Sequence, residues 1–369
     1  MPGIGAILIQ RLYQRFGSLA EAWDASSAEL EQVDGFGPQT AEVAVAERRR
    51  IDPERLLHQH EQTNPCFWTP ADPDYPRLLL EISDPPPLLY YQGTVDLLEN
   101  QGILPAIAIV GTRNPSDYGR QWTRRLSTAL ANAGFTVVSG LAEGIDTVAH
   151  QSCLEAGGRT IAVLGTGVNV IYPRFNRKLA KQVVQQGLLL SEHPADTQPE
   201  RINFPRRNRI IAGLCRATLV LEAPQRSGAL ITARLANEYG REVFALPGSL
   251  DNECARGCLD LLNQGAQMIL GEHHLLDLLG TIPQLIDSLR HASSSATQLS
   301  LLAEPVALPS VTLEPELQQV FQVVTSEPIA IDRIVQHVGL ATGTVLSALS
   351  QLELMGLVSQ LPGMRYQRG

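Results

Sequence analysis

The chain has 369 residues, 44% of them apolar and 18% charged, with a formal net charge of −9. That length exceeds one typical core and that apolar content excludes a disordered chain, so more than one soluble globular domain is expected. No run approaches the roughly 18 apolar residues of a membrane helix and no basic-then-apolar leader opens the chain, which points to a cytoplasmic protein without membrane contact.

The five cysteines (Cys66, Cys153, Cys215, Cys254 and Cys258) are odd in number and scattered, so they read as reduced thiols. Cys254 and Cys258 stand four apart with no second Cys or His pair at finger spacing, and no metal is expected.

Residues 1–62 read as a helical domain punctuated by Gly3-Ile4-Gly5 and Gly35-Phe36-Gly37, each followed by a helix-compatible run. The spacing resembles a tandem helix-hairpin-helix module, whose backbone N–H groups can hold a phosphate without reading sequence. The same glycines also serve simply to turn the chain between packed helices. The helix that should precede the first hairpin is missing, so either the start is truncated or the module is incomplete.

Residues 63–280 form the expected central domain. Its lead-in carries Pro65, Pro70, Pro73, Pro76 and Pro85-Pro86-Pro87, which can continue neither a helix nor a central strand, and reads as a connector over the domain. From Ala106 short apolar runs alternate with helix-length amphipathic segments: 106–110, 136–139, 160–164, 188–191, 217–221 and 242–246. Apolar runs without strict alternation suit strands covered on both faces, so an α/β, Rossmann-like, doubly wound parallel sheet is expected. A linker is expected over 281–311, around Ser293-Ser294-Ser295, Pro305 and Pro309. Residues 312–369 then outline a winged helix, with helices over 315–325, 331–337 and 342–355, a turn at Gly339 and a wing over 357–366.

In a doubly wound sheet ligands collect beyond the carboxyl ends of the strands. The first run ends Gly111-Thr112-Arg113, the second Ser139-Gly140-Leu141-Ala142-Glu143-Gly144-Ile145-Asp146, and the third Gly165-Thr166-Gly167, so three glycine turns converge on one edge as a phosphate cradle. Ser227-Gly228 opens a helix after the fifth run and offers another anion contact. Gly-x-Gly-x-x-Gly is absent after the first strand and no acidic residue ends the second, which argues against a dinucleotide; no Gly-Lys-Ser or Gly-Lys-Thr occurs, which excludes a P-loop. No cofactor is expected.

Basic residues are clustered. Arg174, Arg177, Lys178 and Lys181 follow Tyr172-Pro173, and Arg201, Arg206, Arg207, Arg209 and Arg216 occupy an acid-free segment. Arginine forks bind phosphate bidentately, and Tyr172 or Phe204 could stack on an unpaired base, which suits single-stranded DNA. The alternative for Arg207 and Arg209 is pairing with Glu192 or Glu222 in service of the fold.

Taken in order, Ile109-Val110-Gly111-Thr112-Arg113, Ser139 to Asp146 with Ala149-His150, Tyr172-Pro173, Ser191-Glu192, Phe204-Pro205-Arg206-Arg207-Asn208-Arg209, Ser227-Gly228 with Thr232-Ala233, and Pro247-Gly248 closely resemble the DNA processing protein A family (DprA, also called Smf). The resemblance implies a non-enzymatic protein of natural transformation that binds and protects incoming single-stranded DNA and helps load the RecA recombinase. It also implies a homodimer through the Rossmann-like domain, with single-stranded DNA-binding protein a further candidate partner on the same DNA. Implied DNA contacts fall on Gly111, Thr112 and Arg113, on Ser139 and Gly140, on Gly165 and Gly167, and on Arg174 and Asn176. Phe204, Arg207, Asn208 and Arg209 follow, with Ser227 and Gly228; Arg206 occupies a variable position and has a supporting role.

Gly257-Cys258-Leu259-Asp260 has leucine where the family usually has asparagine, so no role is carried onto Leu259. The segment 342–355 has no Lys or Arg, and residues 312–369 hold five acids against three arginines. A duplex-reading helix should be basic at its phosphate contacts, so the winged helix is expected to contact protein. Two rival functions stay open. One is a phosphoribohydrolase-like enzyme using Glu222 as an acid, against which Arg226-Ser227-Gly228-Ala229-Leu230 stands where such enzymes carry Pro-Gly-Gly-x-Gly-Thr. The other is a nucleotide sensor signalling through its winged helix.

Overall fold

The computed structural model describes residues 3–280, 315–325, 329–354, 358–361 and 365–368, so the expected linker over 281–311 lies outside the described residues. The chain forms two compact units, Met1–Ala296 and Thr297–Gly369. Among the described residues no helix is long and apolar enough to cross a membrane.

The first unit opens with helices Ala6–Phe16, Leu19–Asp24, Ser27–Leu30, Pro38–Arg48 and Pro53–Thr63. Their starts follow local chemistry. Ser18 caps one, Ser26 and Glu29 form a reciprocal capping box on the next, and Pro38 and Pro53 sit where a helix has no use for an N–H. Gly35 has φ +84°, the left-handed turn that glycine tolerates. Leu12, Leu30, Val33, Phe36 and Ala41 make the small core beneath.

The sheet has nine strands: β1 (Phe67–Trp68), β2 (Leu89–Gly93), β3 (Ala106–Val110), β4 (Thr136–Ser139), β5 (Thr160–Leu164), β6 (Leu188–Ser191), β7 (Ala217–Val220), β8 (Glu242–Ala245) and β9 (Gln267–Met268). Their order is β1-β2-β6-β5-β4-β3-β7-β8-β9. The seven strands from β3 onward are mutually parallel, as their unbroken apolar runs required. Separate cores fill the two faces, one around Val110, Val138 and Val163 and one around Ile107, Ile109 and Val137.

The proline-rich lead-in is more than a connector. It supplies β1 and β2, which extend the sheet antiparallel beyond β6, with Tyr90 opposite Ser191. The prolines stop at Pro87, just short of β2, so none has to donate to the ladder.

Connectivity creates the crevice. From β3 the chain builds β4, β5 and β6 outward on one side, then returns across β3 to build β7, β8 and β9 on the other. The loops leaving β3 and β7 therefore diverge above the middle of the sheet, where such folds open.

The second unit contains helices Pro315–Val323, Ile331–Val338 and Thr342–Leu354 with strands β10 (Ile329–Ala330), β11 (Val358–Leu361) and β12 (Arg365–Arg368), ordered β10-β12-β11. This is a winged helix. Val320, Ile334, Val345, Leu349 and Leu352 form its buried centre.

Candidate nucleic-acid interface

A cleft of about 680 Å³ opens at the switch point, lined by Gly111, Thr112 and Arg113 after β3, Ala142 and Asp146 after β4, and Tyr172. Arg201, Phe204, Arg207 and Asn208 form another wall, on or just before the helix Asn203–Leu214. Ser227 and Gly228 close it at the start of the helix Gly228–Glu238.

Glu222 builds the loop after β3. Its carboxylate accepts from the Ser116 amide at 2.8 Å, the Ser116 hydroxyl at 2.5 Å and the Asn252 amide at 3.2 Å, while its backbone carbonyl accepts from the Thr112 N–H at 2.6 Å. A methyl group at Gly119 would stand 2.2 Å from the Glu222 carboxylate, so glycine makes the room. With both oxygens so engaged and only 1% of the residue exposed, Glu222 is a buried staple that is not presented to the cleft as an acid. The loop it holds leaves Arg113 exposed and, among the described residues, without an ion-pair partner.

The turn after β4 has a different chemistry from the expected phosphate cradle. Asp146, on the first turn of the helix Ile145–Glu155, accepts from the Gly140 N–H at 3.1 Å and the Ala142 N–H at 3.3 Å through one oxygen. The chain fills its own anion nest, and those amides are not available to a ligand. Ser139 is fully buried and donates its hydroxyl to the Ile109 carbonyl at 2.6 Å. Burial pushes the Asp146 carboxyl above its ordinary range, against the neighbouring Arg207 charge and the bonds from Ala142, Ser139 and Gly140.

Arg207 lies behind the same turn. It is 5% exposed and donates through Nη1 to the Gly140 carbonyl at 2.8 Å and to the Val163 carbonyl, and through Nε to Asn208 Oδ1 at 3.3 Å. Burial pulls its pKa down to about 10; the Asp146 carboxylate raises it and the Arg113 charge adds to the lowering. Arg207 thus lines the cleft floor and carries positive charge toward it, with Nη1 engaged by two carbonyls. His150 is also fully buried near this charge and is held neutral, its pKa driven down to about 3 by burial and by Arg207.

The other expected contacts separate into two groups. Arg209 is a fold residue: it grips Glu192 with two parallel bonds of 2.8 and 2.7 Å and pairs with Asp84 at 3.0 Å, outside the cleft lining. Asn176 is buried and gives its amide to the Leu141 carbonyl and the Thr147 hydroxyl, each at 2.9 Å. Gly165 leaves space for Phe204, whose ring would stand 3.0 Å from an added methyl, and Gly167 leaves space for the Pro194 carbonyl at 2.6 Å. These positions shape the walls.

On the cleft side stand Gly111, Thr112, Arg113, Phe204, Asn208, Ser227 and Gly228. Asn208 donates to the Gly228 carbonyl at 3.2 Å, and Ser227 caps the helix Gly228–Glu238 by accepting from the Ala229 N–H at 3.2 Å. The rings of Tyr172 and Phe204 lie 5.6 Å apart and are tilted by 42°, which leaves an aromatic surface beside Arg113. Arg174 is exposed just beyond Tyr172. Asp146 and Glu222 were missed as organising residues; the available signal was an acid on the first turn of the next helix for one and at a buried strand end for the other.

The family model described as DNA recombination-mediator protein A matches residues 66–280, and the DprA winged helix domain matches residues 304–364. The Smf protein of Synechocystis is 50% identical over 381 residues, covering 99% of this chain and 96% of that one. The Escherichia coli Smf protein is 41% identical, covering 80% and 75%. The solved DNA processing protein A of Streptococcus pneumoniae superposes with a TM-score of 0.66 at 36% identity, over 76% of this chain and 94% of that one. DNA processing protein A of Helicobacter pylori, described by its single-stranded DNA binding mode, superposes with a TM-score of 0.52 at 34% identity, over 58% and 95%. The chain belongs to the DNA processing protein A family, the DprA/Smf proteins.

Proposed function

We propose that the cleft binds single-stranded DNA without sequence preference and that the chain is a DNA-binding protein of DNA processing in transformation. The observation that carries this reading is the exposed Arg113, without an ion-pair partner among the described residues, beside the tilted pair Tyr172 and Phe204, a cation and a stacking surface in one open cleft. The Helicobacter pylori relative, whose name records single-stranded DNA binding, supports the same polymer. Arg174, Arg201, Asn208 and the Ser227-Gly228 helix start add contacts around it.

By the same family reading the protein protects the strand, helps load RecA, shares the DNA with single-stranded DNA-binding protein and acts as a cytoplasmic homodimer. Met268 on edge strand β9 and the adjoining Leu270 are 44% and 67% exposed, an apolar edge suited to a second copy. The nucleotide-cleaving alternative is weakened because Glu222 is committed to Ser116 and Asn252. The winged helix is assigned to a protein contact, since its helix Thr342–Leu354 carries no basic residue.

The test is a titration with a mononucleotide and with oligonucleotides of increasing length over a salt series. Affinity should rise with length and fall steeply with salt, Arg113→Ala should flatten the salt slope by about 0.7, and a chain ending before residue 312 should bind like the parent. A mononucleotide bound as tightly as a long strand would refute the polymer reading.

A further inference from the structure

Beyond the cleft the chain carries a row of cations that no pairing among the described residues explains. From Tyr172 in the cleft wall it continues through Pro173 and the 3-10 turn Arg174–Asn176 into the helix Arg177–Gln186. The buried Asn176 amide ties the start of that helix to Leu141 and Thr147, and so to the turn that walls the cleft. The helix buries Leu179, Ala180 and Val183. Arg177, Lys178 and Lys181 are exposed.

Arg177 and Lys181 are one turn apart, about 6 Å along the axis, and Lys178 is three residues from Lys181, so Lys181 neighbours each of the other two on the helix surface. That rise is close to the phosphate spacing of an extended single strand. The helix contains no acidic residue, and none of the three cations makes an ion pair among the described residues. Arg177 and Lys178 even occupy the first turn, where the helix dipole disfavours positive charge. Lys178 and Lys181 are the only lysines in a chain of net charge −9. Intramolecular stability gives no reason for this placement; a polyanion does. Phe175, 61% exposed, stands between Tyr172 and the row along the chain and adds an exposed aromatic ring.

We infer that the helix Arg177–Gln186 carries a second stretch of the same strand, which leaves the cleft past Tyr172 and Phe175 and lays its phosphates along Arg177, Lys178 and Lys181. This rests on the cleft binding single-stranded DNA. The contacts are to phosphate and so add length dependence without sequence preference.

The experiment titrates the full chain with oligothymidylates of about 6 and about 30 nucleotides, lengths that bracket one short site and a continued path. The triple variant Arg177→Gln, Lys178→Gln, Lys181→Gln keeps residues of good helix propensity. It should bind the short strand like the parent, bind the long strand about tenfold more weakly, and show a salt slope shallower by about 2 on the long strand alone. Equal binding to the parent at both lengths, or an equal loss at both, overturns the inference. Arg113→Ala should weaken both lengths; if it weakens neither while the parent binds, the cleft reading fails and the row is judged separately by the long strand.

Discussion

The Arg207 guanidinium lies against the backbone of Gly140, so closely that a methyl group at Gly140 would stand 2.6 Å from Nη2 and 2.7 Å from Cζ. The contact is fixed from both sides, because Nη1 is held by the Gly140 and Val163 carbonyls while Asp146 holds the Gly140 N–H. One glycine therefore admits a buried cation beneath the turn that walls the cleft.

Gly140→Ala should cost about 2 kcal/mol, the usual size of overpacking where neighbours cannot retreat. Urea unfolding measures it. The same substitution placed on an Arg207→Ala background should cost well under 1 kcal/mol, since the clashing group is gone. Full additivity of the two changes would show that Gly140 and Arg207 are not coupled.

Arg209 separates fold from binding. Glu192 is mostly buried and takes two bonds from Arg209, whereas the Asp84 carboxylate is about a third exposed and its pairing is partly screened. Arg209→Ala strands the Glu192 charge and should destabilise the protein by about 3 kcal/mol. Under conditions where the variant remains folded, its affinity for single-stranded DNA should equal that of the parent. A loss of affinity with unchanged urea stability would place Arg209 in the interface after all.

These cases mark what the sequence discloses and what it withholds. Strands β3 to β8 were legible because parallel strands buried on both faces read as short apolar runs bounded by glycine turns. Strand β1 was hidden by its two-residue length and β2 by the Pro85-Pro86-Pro87 run just before it. The loops of the cleft were legible too, through the rule that ligands collect at strand ends. The direction of each arginine was not. Whether Arg209 faces solvent or core is decided by Glu192, 17 residues away, and by Asp84, 125 residues away. A similar limit applies to Asp146: only the fold shows that it occupies the nest that the glycine turn offers.

His150 gives the site an acid sensitivity with a definite sign. Its Nδ1 stands 2.7 Å from the Thr160 hydroxyl, which itself donates to the Val137 carbonyl at 2.7 Å. The imidazole therefore donates through Nδ1 and leaves Nε2 unprotonated, buried and, among the described residues, without a partner. The folded pKa is about 3 against an ordinary 6.5, so between those values the unfolded chain takes up a proton that the folded chain refuses. Stability from this residue is complete above pH 6.5 and is lost as pH falls toward 3, by about 2 kcal/mol on reaching pH 5. Asp146 works in the opposite direction, because its raised carboxyl pKa favours the folded state in acid. Comparing the parent with His150→Gln isolates the histidine. Urea midpoints at pH 7.5 and 5 should show the parent losing about 2 kcal/mol more than the variant. The same loss in both would mean that His150 is protonated in the folded protein, with neither its burial nor the Arg207 charge excluding the proton.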